Sequence, residues 1–214
     1  MSARGEDTLT PSERSDLLVL ARAALEDALA RNGALERALA AVTITTALRE
    51  ERAAFVSLHT RRDDGGAADP GGPKGGAPAT GTLRGCIGTL DARESLYRSV
   101  IGRAVDAALR DPRFPHVTAV ELPHVAIEIS ALTPLRPVAG PDEIVCGRDG
   151  VELERGTQRA VFLPQVATEQ GWDVGELLRQ LARKAGLRSD EWAGARLSVF
   201  RAEVFGEDGG RLQL

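Results

Sequence analysis

The residues whose types and spacing could do chemistry gather on Leu83-Arg84-Gly85-Cys86-Ile87-Gly88, a single thiol between two glycines with an arginine two positions before it. A cysteine becomes a nucleophile or redox thiol when a cation, a helix N-terminus or a histidine base lowers its pKa. Arg84 could supply the cation. His59 lies in the segment expected to pair with this one, and Glu128 offers a carboxylate. So arranged, Cys86 would attack a carbonyl or thioester carbon, His59 or Glu128 would take the proton, and Arg84 or backbone N–H groups would steady the anion. A plainer reading stands beside it. Cys86 then fills a tight turn as a small apolar residue, and Glu128 is an ordinary solvent-facing carboxylate on a half-exposed sheet.

Gly85 and Gly88 imply either backbone with positive φ or backbone that another element must approach closely. Together with Arg84 they could cradle an anion, but neither phosphate-binding glycine signature is present, which argues against a nucleotide site. Asp111-Pro112-Arg113-Phe114 ends a helix on the simplest reading, and Asp111 and Arg113 could form a charged rim for the thiol segment. Gln165 and Trp172 offer an amide and an aromatic for a pocket wall, although Trp172 serves equally as a core anchor. Lys184, like Arg84, is a candidate partner for Glu128, and Ile87 would line the same cleft. His116 and His124 sit beside prolines with no ligand spacing between them, so they are expected to be exposed and no metal site is expected.

Several elements must position these residues. Thr10-Pro11-Ser12-Glu13 is a capping box, and Leu17, Leu18, Ala21, Ala24, Leu25, Ala28 and Leu29 continue it as an apolar stripe that Asn32-Gly33 ends. Residues 35–41 read as a short turn of helix or an irregular link. Residues 54–59 alternate as a strand with Phe55, Ser57 and His59 on one side. Residues 61–82 are rich in Gly, Pro and Ala and read as a flexible insertion at a hairpin tip, which leaves the strand register, and hence any Cys86/His59 dyad, unset. Asp91-Ala92-Arg93-Glu94 reads as a second cap, opening a helix that ends by Asp111 because the residue before Pro112 is pushed out of the α region. Residues 125–130 alternate with Glu128 away from Val125, Ile127 and Ile129. Residues 144–146, 151–154 and 160–163 read as a meander, residues 173–186 as a capped helix stopped by Gly186, and residues 196–204 as one last strand. The sum is an α+β fold with a largely antiparallel or mixed sheet and flanking helices. Residues 1–9 read as a loose tail before a single domain over 10–214.

With 27 Lys and Arg against 31 Asp and Glu, the 214-residue chain carries a formal charge of −4. That disfavours nucleic acid, so an RNA or ribosome-associated role is the weakest reading. Two cysteines without a CxxC spacing or a secretory leader read as thiols of a reducing, cytoplasmic compartment, and no run is long enough for a membrane span.

LRGCIG, with AFVSLH from Ala54, DPRF from Asp111, EISAL from Glu128, GRDGVEL from Gly147, FLPQV from Phe162, GWD from Gly171 and KAGL from Lys184 in the same order, resembles the AMMECR domain family over roughly residue 47 to the C-terminus. Within it, the chain is similar to the group designated AmmeMemoRadiSam system protein A. The resemblance implies a two-part α+β domain, larger and smaller, with LRGCIG at a cleft between them. It also implies an accessory or ligand-binding component, acting on an unknown small molecule, beside a Memo-like protein and a radical SAM protein. Iron and S-adenosylmethionine would belong to those partners, since this chain lacks the three-cysteine cluster motif, and no cofactor of its own is implied. One departure from the pattern is Ala182, where some relatives are expected to carry a cysteine; it leaves Cys86 as the only thiol within the motifs.

Overall fold

The Thr10 hydroxyl accepts the Glu13 N–H (3.3 Å) while the Glu13 carboxylate accepts the Thr10 N–H (2.8 Å), so the capping box starts α1 (Pro11–Ala30) where its sequence places it. The computed structural model describes residues 8–61 and 81–207. The expected tail and insertion therefore lie outside the described residues, apart from their ends. Leu9, at one such end, is 2% exposed and donates its N–H to the Glu203 carboxylate (3.0 Å), so it belongs to the core.

After α1 come α2 (Ala34–Ala41), a full helix where only a turn or a link was expected, and the four-residue α3 (Thr46–Arg49). The strands β1 (Ala54–Thr60) and β2 (Leu83–Gly88) form the hairpin. Next is α4 (Leu96–Leu109), which begins at Ser95 rather than in residues 91–94. Its start is delayed because residues 50–52 hold the approach: Arg52 N–H donates to Glu94 O and Leu96 N–H to Glu50 O. Then follow β3 (Val125–Leu132), β4 (Arg136–Val138), β5 (Gly150–Arg155), β6 (Gln158–Phe162), α5 (Pro164–Gln170), α6 (Val174–Lys184), β7 (Arg196–Phe200) and β8 (Ala202–Gly206).

Two four-stranded sheets result, in the orders β2-β1-β3-β8 and β4-β7-β5-β6, and every pairing with a described register is antiparallel. The final segment is two strands, one in each sheet, not one. The break falls at Arg201, whose C=O accepts the Thr133 N–H (2.8 Å) and whose N–H donates to the Thr133 hydroxyl (2.9 Å). Residues 144–146 are not a strand either. There the Asp149 carboxylate takes the Val145 N–H (2.9 Å) and Gly147 turns with φ +83°, and the edge of the second sheet is β4 instead.

The described residues divide into two compact units, residues 8–61, 81–131 and 203–207 in one and residues 132–202 in the other. In the first, Val56, Leu58, Ile127, Ile129 and Phe205 of the sheet meet Leu17 and Leu25 of α1 and Leu96, Val100 and Ala104 of α4. Glu203 of β8 is 8% exposed and neutralised by Arg14 (3.1 Å) and Arg52 (3.3 Å), a buried charge kept because it is paired twice. In the second unit, Val151, Leu153, Leu197 and Val199 pack under Leu177, Leu178, Leu181 and Ala182 of α6. α6 is capped by Asp173, which accepts the Glu176 N–H (2.7 Å), and Gly186 follows with φ +79°. No helix among the described residues is long and apolar enough to cross a membrane.

LRGCIG itself is strand throughout, with no turn inside it and no positive φ. Its glycines serve close approach. A Cβ at Gly85 would fall on the carbonyl oxygen of Ala107 in α4, and one at Gly88 on the ring of Phe55. Gly85→Ala should therefore cost about 1–3 kcal/mol in urea unfolding, since helix and strand must separate to admit a methyl. Gly102→Ala on the same α4, with open space around its Cβ, should instead stabilise by about 0.5–1 kcal/mol, a gain of helix propensity alone. Equal effects of the two changes would contradict the packing described.

Candidate functional site

The hairpin register fixes the neighbours of Cys86. Ser57 lies directly opposite it on β1, and Glu128 lies opposite Ser57 on β3, so the three form one row across the first sheet. They occupy the face away from the core, because Val56, Leu58, Ile127 and Ile129 take the other face. The Cys86 sulfur stands 3.2 Å from the Ser57 hydroxyl. His59 is on the same face two residues along β1, paired with Leu83 rather than Cys86.

A regular ladder would set Arg84 opposite His59, and an irregularity no alternation pattern announces displaces it. Between Leu58 and His59 the partner strand advances two residues, from Gly85 to Leu83, leaving Arg84 as the extra residue of a bulge. The bulge aims Arg84 away from the row. Its guanidinium donates to the Glu121 carboxylate (3.0 Å), Pro115 O (2.7 Å) and His116 O (3.2 Å), bracing the loop after α4. Arg84 in turn holds the Glu121 carboxyl below its usual range, with the Thr118 N–H adding to the effect.

β2 is an edge strand, and the outward main-chain groups of Cys86 are closed by Asp111 and Arg113. Asp111 accepts the Cys86 N–H (2.8 Å), and Arg113 donates to the Cys86 C=O (3.0 Å) and back to both Asp111 oxygens (2.7 and 2.9 Å). Asp111 is thus a buried clamp, with 4% of its surface exposed. Arg113 keeps its carboxyl far below the ordinary aspartate value, helped by the Cys86 and Arg113 N–H groups against the opposing effect of burial. Arg113 also lies over the Phe114 ring, 5.4 Å from its centre.

One group on the open face lacks what its burial demands. Both ring nitrogens of His59 are buried without a hydrogen-bond partner among the described residues. Burial pushes the Glu128 carboxyl up, an effect offset in part by the nearby His59 charge. Neither expected partner serves Glu128. Arg84 is engaged by Glu121, and Lys184, in the second unit, donates to Val161 O (2.8 Å) with its ammonium over Phe162. Trp172 packs beside Phe162 against the second core, and Gln165 is exposed. Within the first unit the structure gathers Cys86, His59 and Glu128 with Arg84, Gly85, Ile87, Gly88, Asp111 and Arg113, whereas Gln165, Trp172 and Lys184 belong to the second.

Ser57, at the centre of the row, is the residue that sequence reasoning passed over. Its alternation with Phe55 and His59 put it on the right face, and only the register could show it against the thiol. His116 and His124 are exposed, and burial pushes the Cys146 thiol up, with Asp173 and Asp149 adding to it. No group of three or more His, Cys, Asp or Glu among the described residues is placed to hold a metal ion.

A row of hydroxyl, thiol, imidazole and carboxyl on a sheet face can hold a polar molecule through several hydrogen bonds. It is less suited to acyl transfer, because Arg84 and the Cys86 N–H are already occupied and the Cys86 sulfur meets a hydroxyl, not a base.

The family profile designated AMMECR1 matches residues 18–205. The chain is 36% identical to protein MJ0810 of Methanocaldococcus jannaschii over 207 residues, 93% of this chain and 92% of that one. It is 43% identical to a Thermococcus gammatolerans protein over 139 residues, 62% of this chain and 68% of that one. Among solved structures, that of the uncharacterized protein PH0010 from Pyrococcus horikoshii is similar, with a TM-score of 0.61 at 32% identity over 92% of this chain and 93% of the other.

The clamp predicts a pH dependence. A carboxyl whose pKa is depressed by folding contributes its full stabilisation above about pH 4, where it is ionised in both states, and loses it as the pH falls toward the folded value. Asp111→Asn should lower stability at pH 7 by about 2 kcal/mol through the loss of charge-assisted hydrogen bonds. It should also flatten the acid limb of the stability profile below about pH 4. Urea midpoints by circular dichroism across that range would show it, and parallel acid limbs for variant and parent would refute the clamp.

Proposed function

We propose, because this chain belongs to the AMMECR1 family, that it works as a binding component: the face carrying Cys86, Ser57, Glu128 and His59 receives a small polar molecule, on behalf of a system that includes a Memo-like protein and a radical SAM protein. The observation that carries this reading is His59. Two buried ring nitrogens without partners cost free energy unless something supplies the missing bonds, and they sit beside a half-buried carboxyl that has no hydrogen-bond partner among the described residues. Groups strained in this way concentrate at functional sites. The alternative, a thiol enzyme acting on a carbonyl or thioester, draws on the same row but lacks unengaged anion stabilisers.

If the face is kept for a ligand, relieving its unmet polar groups should stabilise the empty protein. Glu128→Gln and His59→Phe should each raise the thermal midpoint of ligand-free protein, while tagged chain carrying either change should recover less partner from native extract than the parent. The parent should bring down the Memo-like or the radical SAM protein, or release a small molecule on denaturation, each identified by mass spectrometry. Recovery of neither protein, with nothing released from protein purified from extract, would overturn the proposal. Fast native-state alkylation of Cys86, blocked by a carbonyl or thioester metabolite, would favour the enzyme.

A further inference from the structure

Ser57, at the middle of the row on the first sheet, donates its hydroxyl hydrogen to the Cys86 sulfur (3.2 Å). With that hydrogen committed, the Ser57 oxygen has only lone pairs left to offer, so toward a ligand it is an acceptor. Glu128 lies opposite Ser57 on β3, and no hydrogen bond from the described residues reaches its carboxyl. An ionised carboxylate also only accepts. His59 stands diagonal to Glu128, because its own partner on β3 is Ala126. In its neutral form an imidazole keeps one ring nitrogen as an acceptor, and neither nitrogen of His59 has a partner among the described residues. Three acceptors therefore share one open face.

Charge narrows the choice of ligand. Both guanidinium groups beside the row are already matched, Arg84 by Glu121 (3.0 Å) and Arg113 by Asp111 (2.7 Å). Those pairs cancel and leave the Glu128 carboxylate as the uncompensated charge of the row, half-buried and therefore costly until a cation meets it. An anion would add to that charge. A quaternary cation would balance it but brings no N–H to the three acceptors. A primary ammonium supplies both, one positive charge and three N–H donors. Spacing agrees with this. Acceptors about 2.8 Å from a tetrahedral nitrogen stand roughly 4.6 Å from one another. Opposed side chains on a sheet have Cβ atoms about 4.5–5.5 Å apart, and diagonal ones about 7–8 Å apart, still within reach of long side chains. Glu128 and His59, the diagonal pair, have that length. Phe55, next along β1 on the same face, holds its ring where a side chain at Gly88 would stand, and so offers apolar surface beside the acceptors.

Resting on the reading of this face as a ligand site, we propose that it takes a primary amine as the ammonium ion, held by the Glu128 carboxylate, the Ser57 oxygen and the acceptor nitrogen of His59, with an apolar body on Phe55. The second ring nitrogen of His59, which carries the hydrogen, is left for an acceptor elsewhere on the same molecule.

Amide-resolved NMR titration of the full chain with n-butylammonium, tetramethylammonium and butyrate, at matched ionic strength, is the test. Butylammonium should give saturating shifts at the amides of residues 55–59, 86 and 126–128, and the quaternary cation and the carboxylate should not. Glu128→Gln removes the charge and keeps the shape, so it should weaken butylammonium about tenfold, the worth of one charge-assisted hydrogen bond. Ser57→Ala should weaken it about fivefold, as expected for one neutral hydrogen bond. Unmoved amides at Val100 and Ala104 of α4 would show that each variant keeps the core. Absence of saturating shifts with butylammonium, equal shifts with tetramethylammonium or butyrate, or undiminished affinity in both variants would overturn the amine assignment. Shifts with butyrate alone would overturn it too, yet leave a binding face, and that broader reading falls only if native extract yields neither a partner protein nor a released small molecule.

Discussion

The first unit depends on how the open edge of β2 is closed. An edge strand presents unpaired N–H and C=O groups that must find water, another chain or a side chain. At Cys86 the Asp111 carboxylate and the Arg113 guanidinium take both, and because Arg113 also grips Asp111, three partners hold one another in place. Charge-assisted bonds of this kind are about twice as strong as neutral ones. The rest of the local architecture follows from it. With β2 held at its rim, Gly85 can lie against the Ala107 carbonyl of α4, and the bulge at Arg84 can send a guanidinium into the loop at Pro115, His116 and Glu121. The Cys86 main chain is then held opposite Ser57, tied on both sides.

A strand so fixed allows the outer face to carry groups that would otherwise be costly. Among the described residues nothing hydrogen-bonds either ring nitrogen of His59, and Glu128 is held partly out of water beside it. Each unmet buried group costs about 1–3 kcal/mol, a sizeable share of a total stability of about 5–15 kcal/mol. The inner face of the same sheet shows the contrast. There Val56, Leu58, Ile127 and Ile129 make the hydrophobic core with α1 and α4.

Local rules were legible in the sequence where one short segment settles the outcome. The Thr10/Glu13 box, the Asp173 cap and the Gly186 stop all depend on neighbours within a few residues, and strand alternation put Ser57 with His59 on one side of β1 and Glu128 on the side of β3 away from Val125, Ile127 and Ile129. What escaped depends on contacts distant in the chain. The start of α4 is set by residues 50–52, the break at Arg201 by Thr133, and the bulge at Arg84 by a loop more than thirty residues away. The glycines of LRGCIG suggested a turn because positive φ and close approach leave the same mark on a sequence, and only the position of α4 separates them. Asp111 looked like a helix terminator with a charged rim. An acid and an arginine two residues apart after a helix are compatible with a clamp, yet nothing in their spacing says which strand they hold.

Hydrogen exchange at the Cys86 amide tests the clamp most directly. An edge-strand N–H pointing away from its neighbour should exchange quickly unless a side chain holds it. The account predicts that this amide in the native protein is protected nearly as well as those of the central strand β1, and that Asp111→Ala removes that protection while amides at the centre of β3 keep theirs. Rapid exchange at Cys86 in the unmodified protein, or protection that survives the loss of Asp111, would contradict it.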